Sequence, residues 1–426
     1  MVLLAVLGLL GIATASAAAA GAGGQPDLAA FARSILGSGQ GVYVEAADGT
    51  VLLAQAADTP VHPASVSKVP TTLALLRRFG PEHRFDTTFA VDGPIRDGTL
   101  AGDLIVEGGG DPYFVDENAL LVIERLRALG VQRVGGRLLV QGAFTFDWQA
   151  DSDGERLGRA MAGAVPAAAW AAVRALTDAP GPDTPGPDTP PSIEIANGAA
   201  DATVSAGSGS GTGAPLPAPR SLPAPRPLLI HRSQPLLALA KSLNDYSNNV
   251  FKPLADAAGG AGAVETLARS VVPAAMRSEI TLGDGAGTDP RNRLSPRAAV
   301  ALLRALGQEL AASGHGLVDI LPVSGVDPGT LHQRLNEDGE SGHVVGKTGT
   351  YGDYGASALV GAILTRDRGI VYFAILNHGI PVPEARRRQD RLVRELLLRL
   401  HSIPWDYQPD ARPAAARAQI VDVEVR

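Results

Sequence analysis

Pro63-Ala64-Ser65-Val66-Ser67-Lys68-Val69-Pro70 is the stretch on which the fold turns. Residues 65–79 carry a Leu-rich face at helical spacing, with Ser at the start. Pro70 falls in the first turn or so, where its missing N–H costs little. Positions i and i+3 of a helix share a face, so the Lys68 amine can reach the Ser65 hydroxyl. A Ser at a helix start also has backbone N–H groups nearby, which favour developing negative charge. Taken alone, Ser-x-x-Lys is common by chance and reads as an ordinary capped helix.

Two further short patterns lie downstream. Ser247-Asn248-Asn249 follows Tyr246 between two helical segments, setting a hydroxyl and an amide on one turn. By itself it reads as an Asn-rich helix cap. Lys347-Thr348-Gly349-Thr350 follows Val344-Val345-Gly346 and precedes a hairpin pattern. A Lys on a strand edge, then a hydroxyl and a Gly, allows close approach of an extended acyl substrate. In isolation it is a solvated Lys on an edge strand.

The three patterns together carry more than each alone. Their order, Ser-x-x-Lys, Ser-x-Asn, Lys-Thr-Gly, resembles the signature of penicillin-binding proteins and serine β-lactamases. The use of Lys supports this. Only four of the 37 basic residues are Lys (Lys68, Lys241, Lys252 and Lys347), and two of the four sit in the motifs. Arg would fail at both places. Its guanidinium cannot be deprotonated to act as a base beside Ser65, and its planar fork is bulkier than an ammonium at the strand edge.

Composition narrows the field. The chain has 426 residues, of which 45% are hydrophobic, 19% charged and 4% aromatic, enough for two or three domains and a sizeable core. Its net charge is −7 and it has no Lys/Arg-rich run, which argues against a nucleic-acid partner. The absence of Cys excludes disulfides, thiolate metal sites, Fe–S clusters and a lipidated Cys. The eight His are scattered and no His-Glu-x-x-His occurs, which fits the reaction without metal or other cofactor that the resemblance implies. Residues 2–13 form an apolar run too short to span a bilayer, and Ala15-Ser16-Ala17 follows it. That predicts a signal peptide over 1–20, export to the periplasm, and no transmembrane helix in the mature chain.

Outward from the motifs, the chain alternates element types. Val42–Ala47, Asp48-Gly49 and Val51–Ala54 predict a hairpin with a tight turn. From about 86 to 145, short strands broken by Gly surround one helix at about 116–129. Pro-Gly-Pro-Asp-Thr occurs twice in 178–192 and Leu-Pro-Ala-Pro-Arg twice in 206–227; both stretches read as linkers. Helices are predicted over 234–245, 248–258, 262–275, 295–313 and 384–401, and strands over 356–365 and 370–377. The expectation is an α+β fold with a sheet built from both chain ends and a mostly β insertion.

On these residues the chain resembles the low-molecular-mass class C penicillin-binding proteins, the D-alanyl-D-alanine carboxypeptidase/endopeptidases. Leu104 to Phe114 (LIVEGGGDPYF) and His231 to Leu236 (HRSQPL) fit that family. So do Asp284-Gly285-Ala286-Gly287, Asn292-Arg293-Leu294-Ser295-Pro296, and Leu321 to Asp327 (LPVSGVD). The interval from Ser65 to Ser247 fits too, since class A β-lactamases keep these motifs much closer together. The resemblance implies a transpeptidase-like catalytic domain from 25–85 and 229–408, an antiparallel sheet flanked by helices. A mostly β domain would occupy 86–177, a Pro/Gly-rich linker with a reduced insert 178–228, and a tail 409–426.

The implied activity is hydrolysis of peptidoglycan stem peptides through an acyl-enzyme on Ser65. Lys68 would be the base, Ser247 the proton carrier to the leaving amine, and Lys347 an electrostatic aid. Asn249, Thr348, Gly349 and Thr350 would bind substrate. The implied partners are muropeptides and, as covalent inhibitors, β-lactams; oligomeric state is not implied. Two alternatives stay open: a β-lactamase or esterase of the same fold, and a non-catalytic peptidoglycan-binding scaffold.

Overall fold

The computed structural model describes residues 27–177, 189–201, 224–246, 250–337, 339–352, 355–412 and 414–423. The leader expected over 1–20, most of both linkers, and Ser247 to Asn249 lie outside them.

The main sheet is antiparallel throughout. Its strands run in the order Val344–Tyr351, Ala356–Thr365, Gly369–His378, Gly41–Ala46, Val51–Gln55. The N-terminal hairpin is therefore joined to the C-terminal one, with Val44 opposite Phe373. Thr50 N donates to Asp48 Oδ1 at 2.8 Å in the tight turn, and Gly49 takes a φ of +89° there. Ser402–Ile403 pairs on the outer part of Ala356–Thr365.

Alternation along these strands sorts two cores. Val42, Val44, Leu359, Ile363, Phe373 and Ile375 face one side and pack on Ala32 and Leu36 of the Leu28–Leu36 helix and on Leu392 and Leu396 of the Val382–Arg399 helix. Tyr43, Ala358, Val360, Ala362, Ala374 and Leu376 face the other, against Leu73 of the Lys68–Phe79 helix and Leu303 of the Pro296–Ala312 helix. Both faces are buried, which is why Ala356–Thr365 reads as a nearly continuous apolar run. Ser295 caps the Pro296–Ala312 helix by accepting from Ala298 N at 3.1 Å, with Pro at the first helical position.

A second sheet belongs to the inserted region. Its order is Ala199–Asp201, Leu138–Ala143, Leu104–Gly109, Asp86–Val91, Arg226–Arg232, Gln419–Asp422, parallel among the first three strands and antiparallel beyond. Phe89, Val106, Phe114, Ile123 and Val140 give it a core of its own. Beside the expected helix, Asp116–Ala128, it carries Glu155–Met161 and Ala167–Thr177, which the sequence did not suggest.

Two stretches behave differently from expectation. Residues 409–426 were expected to form a tail, but Gln419–Asp422 is the edge strand of the insert sheet. Ile420 packs on that sheet's core and Asp422 pairs with Arg125. The limit drawn between 228 and 229 falls inside Arg226–Arg232, which pairs with Asp86–Val91 through a register shift between Pro227 and Leu229. The flanking prolines hid that strand; an irregularity beside a neighbouring strand is where a sheet tolerates Pro. Among the described residues, no helix is long and apolar enough to cross a membrane.

Candidate active site

Ser65 lies in a 3-10 turn, Ala64–Ser67, that runs directly into the Lys68–Phe79 helix. Ala64 takes a φ of +49°, a left-handed conformation that non-Gly residues rarely adopt and that only firm surroundings maintain. Those surroundings are close backbones. Gly287, at φ +88°, lies against the turn so tightly that a Cβ there would overlap the Ala64 carbonyl.

The Ser65 side chain is 6% exposed and Lys68 1%. Lys68 Nζ donates to Ser65 Oγ at 2.9 Å and to the Ala286 carbonyl at 2.6 Å. Burial lowers the Lys68 pKa to about 7, and the nearby Lys347 charge pushes the same way, while Asp284 opposes both. The amine can therefore be neutral near neutral pH. The Phe251 ring centroid lies 5.4 Å from Nζ.

The loop that carries Ala286 is pinned by Asp284. That carboxylate accepts from Gly287 N, Thr288 N and Asn292 Nδ2, each at 2.9 Å, and from Asp289 N at 3.1 Å. Burial alone would raise its pKa, but hydrogen bonds from Thr288, Asn292 and Gly287 outweigh burial and hold it below the usual carboxylate value.

Lys347 lies on the edge strand Val344–Tyr351 with no exposed surface. Burial lowers its pKa to about 8, and the Asp245 carboxyl partly offsets this. Its Nζ donates to the Thr348 carbonyl at 3.3 Å. A Cβ on Gly349 would stand 2.7 Å from Pro63 O and 3.1 Å from Ser65 N, so this strand abuts the Ser65 turn. Thr348 Oγ1 donates to Thr330 Oγ1 at 2.7 Å, and Thr330 N donates to the Asp245 carbonyl at 3.1 Å. Thr350 is exposed and accepts from Arg386 Nη2 at 2.9 Å.

Ser65, Lys68, Lys347, Thr348, Gly349 and Thr350 thus meet in one place. Ser247 and Asn249 lie outside the described residues. Their neighbours on either side reach the same cluster: Asp245 through Thr330, and Phe251 through Lys68.

Several participants escaped the sequence. Asp284 sits in a block noted only for its resemblance, and nothing marked it as the anchor of the loop beside Lys68. Asp245 and Thr330 had no signal, because their relation to Lys347 and Thr348 exists only in space. His62 accepts from Ala64 N at 3.1 Å, donates to the Asp289 carbonyl at 3.0 Å and stacks on Tyr351. It buttresses the turn. His343 contacts Ser402 Oγ at 2.8 Å. Among the described residues, no cluster of His, Asp and Glu could hold a metal ion.

Comparison with known proteins bears on the family and the fold. A family model described as the D-Ala-D-Ala carboxypeptidase 3 (S13) family matches residues 27–169 and 217–397. The penicillin G-acylated Bd3459 predatory endopeptidase of Bdellovibrio bacteriovorus is similar, with a TM-score of 0.69 at 22% identity, covering 87% of this chain and 96% of that one. Bd0816, a predatory endopeptidase of the same organism, gives 0.69 at 22%, covering 88% and 97%. Penicillin binding protein 4 of Haemophilus influenzae gives 0.58 at 18%, covering 86% and 98%. The shared architecture is the α+β, penicillin-binding arrangement expected from the sequence.

Proposed function

The chain belongs to the D-Ala-D-Ala carboxypeptidase 3 (S13) family, and from that premise we propose that Ser65 is the nucleophile of a serine D-alanyl-D-alanine carboxypeptidase acting on peptidoglycan stem peptides. The observation that carries the assignment is the buried Lys68 amine, 2.9 Å from Ser65 Oγ and with its pKa lowered to about 7.

Ser65 Oγ attacks the carbonyl of the penultimate D-Ala, and neutral Lys68 takes its proton. The oxyanion lies between the backbone N–H groups of Ser65 and Thr350, each such donor lowering the barrier by roughly 3 kcal/mol. The approach of Gly349 to Ser65 N supports this pairing of donors. Ser247 passes a proton to the departing amine, with Lys347 tuning it electrostatically. Lys347, Thr348 and Thr350 hold the terminal carboxylate, and Asn249 the amide carbonyl. Water then hydrolyses the ester and restores Ser65. Cleavage of cross-links follows the same steps with a larger leaving amine; Bd3459 is itself described as a peptidoglycan endopeptidase. A β-lactam acylates Ser65 by the same route. The site of action is periplasmic, which the apolar leader and its Ala-Ser-Ala exit support.

Intact-mass spectrometry after incubation with penicillin, beside D-Ala release from a monomeric muropeptide, tests the assignment. One adduct on Ser65 and release of D-Ala are expected, and Ser65→Ala abolishes both. An active Ser65→Ala variant overturns the nucleophile. Failure to form an adduct favours the scaffold alternative, and rapid nitrocefin turnover without D-Ala release favours a β-lactamase.

A further inference from the structure

A cavity of about 380 Å³ lies where the helical lobe, the insert and the C-terminal segment meet, and the mechanism above leaves it unused. That volume is in the range of roughly 300–1,000 Å³ usual for ligand sites. Tyr113 of the insert, Ala238 and Asp245 of the Leu236–Asp245 helix, Tyr246, Pro328 and Tyr407 contribute to its wall. Aromatic walls of this kind offer apolar area with polar edges.

Two cations at its rim are already matched. Lys241 Nζ donates to Asp327 Oδ2 at 2.5 Å, and Arg417 Nε to Asp410 Oδ2 at 3.0 Å. Asp245 is different. It is only 6% exposed, and its Oδ1 is buried with no hydrogen-bond partner among the described residues. A buried acceptor left without a donor is unfavourable, and a turn of the carboxyl toward a ligand N–H in the cavity would relieve it.

The position of the cavity relative to the reaction follows from one turn. Pro328 lines the cavity, and Gly329 sits so close that a Cβ there would overlap the Asp245 carbonyl. Thr330 then joins Asp245 to Thr348 through the two hydrogen bonds given above. Thr348 and Lys347 hold the carboxylate of the leaving residue in the proposed reaction. The cavity is therefore linked through one turn to the residues that hold the leaving residue's carboxylate.

We propose that this cavity is a subsite for the leaving strand of a cross-linked stem peptide, with Asp245 accepting an N–H from an amide or amine of that strand. The inference rests on the function proposed above. A departing D-Ala is held at Lys347 and Thr348 and does not use the cavity. A departing peptide does, and its amine takes the same proton.

The test uses full-length protein with Ala238→Trp, which fills the cavity from a position that contributes only a methyl group, and separately with Asp245→Asn. Cleavage of a cross-linked muropeptide dimer, D-Ala release from the monomer, and penicillin adduct formation are measured for each. Ala238→Trp is expected to lower kcat/KM for the dimer by roughly ten-fold or more while D-Ala release and adduct formation persist. Asp245→Asn raises KM for the dimer more than for the monomer. If both variants keep the wild-type ratio of dimer to monomer cleavage, the subsite is overturned while the active site stands. If the wild type forms no Ser65 adduct, the function proposed above fails first, and the subsite with it. If Ala238→Trp also loses the adduct through misfolding, the ratio for Asp245→Asn decides alone.

Discussion

Gly349 approaches Ser65 so closely that a methyl group on it would stand 3.1 Å from the Ser65 amide nitrogen. Two segments separated by most of the chain are thereby held in contact at the backbone level. The contact matters chemically because the proposed oxyanion donors, Ser65 N and Thr350 N, belong one to each segment.

Gly349→Ala therefore wedges the edge strand away from the Ser65 turn. Overpacking of this kind destabilises by about 1–3 kcal/mol, seen as a lower Tm. Activity should suffer more than stability, since a displacement near 1 Å at reacting groups lowers kcat/KM by about 100-fold. Penicillin acylation rates and thermal melts measured on one preparation separate the two effects. Equal acylation rates in variant and wild type would remove this contact from the mechanism.

The lowered Lys68 pKa sets the direction of the pH dependence. Lys68 is neutral, and able to take the Ser65 proton, above about pH 7, so the acylation rate rises as pH increases through that value. Lys347 loses its charge above about pH 8, which weakens carboxylate binding and turns the profile down. The two amines repel one another, so the limbs of the curve belong to the pair. Lys68→Arg keeps a permanent charge and removes the base, with an expected loss of 10²–10⁴-fold, about the usual contribution of general-base catalysis. Stopped-flow acylation between pH 5 and 10 measures both limbs; a flat profile contradicts the assignment.

Lys347→Met separates binding from folding. The lysine is completely buried and its charged form is disfavoured there, so an apolar side chain of similar length should leave Tm unchanged or raise it. Loss of the ammonium removes a charged hydrogen bond to the substrate carboxylate, worth about 1.5–3 kcal/mol, or roughly 10- to 150-fold in kcat/KM. Steady-state D-Ala release and differential scanning calorimetry together check the split. A large fall in Tm would assign Lys347 a structural role.

Asp284→Ala should act first on stability. It leaves the amides of Gly287, Thr288 and Asp289 and the Asn292 side chain without their acceptor, at a cost of about 2–4 kcal/mol. The loop that presents the Ala286 carbonyl to Lys68 loosens with it. Because the folded carboxyl has a pKa below its unfolded value, the wild-type stabilisation is complete above the unfolded value near 3.9 and is lost as pH falls through the folded one. Urea unfolding followed from pH 7 into the acid range should show the gap between variant and wild type narrowing as pH falls below the unfolded value.

Much of the architecture could be read from residue order. The hairpin around Asp48-Gly49, the strands 356–365 and 370–377, and the helix at 295–313 all declared themselves, because apolar runs, Gly turns and Ser-Pro caps are local properties. The edge strand Gln419–Asp422 did not. Four residues with a single half-buried apolar side chain carry no periodic signal, and their strand character comes from the partner strand Arg226–Arg232. The latter was obscured by Pro227, which only the register shift makes tolerable.

The chemistry divides in the same way. Sequence alone determined which side chains were available, a hydroxyl and an amine three residues apart and a Lys-Thr-Gly strand in a chain nearly devoid of Lys, since i to i+3 contact is a property of the helix itself. Only the tertiary structure decided that the Lys68 amine can be neutral, because the surroundings that desolvate it come from residues far along the chain. It also decided that Gly349 meets Ser65, and that Asp245 lies within electrostatic reach of Lys347. Burial and long-range charge depend on what surrounds a group in space, and no local pattern of residues encodes that.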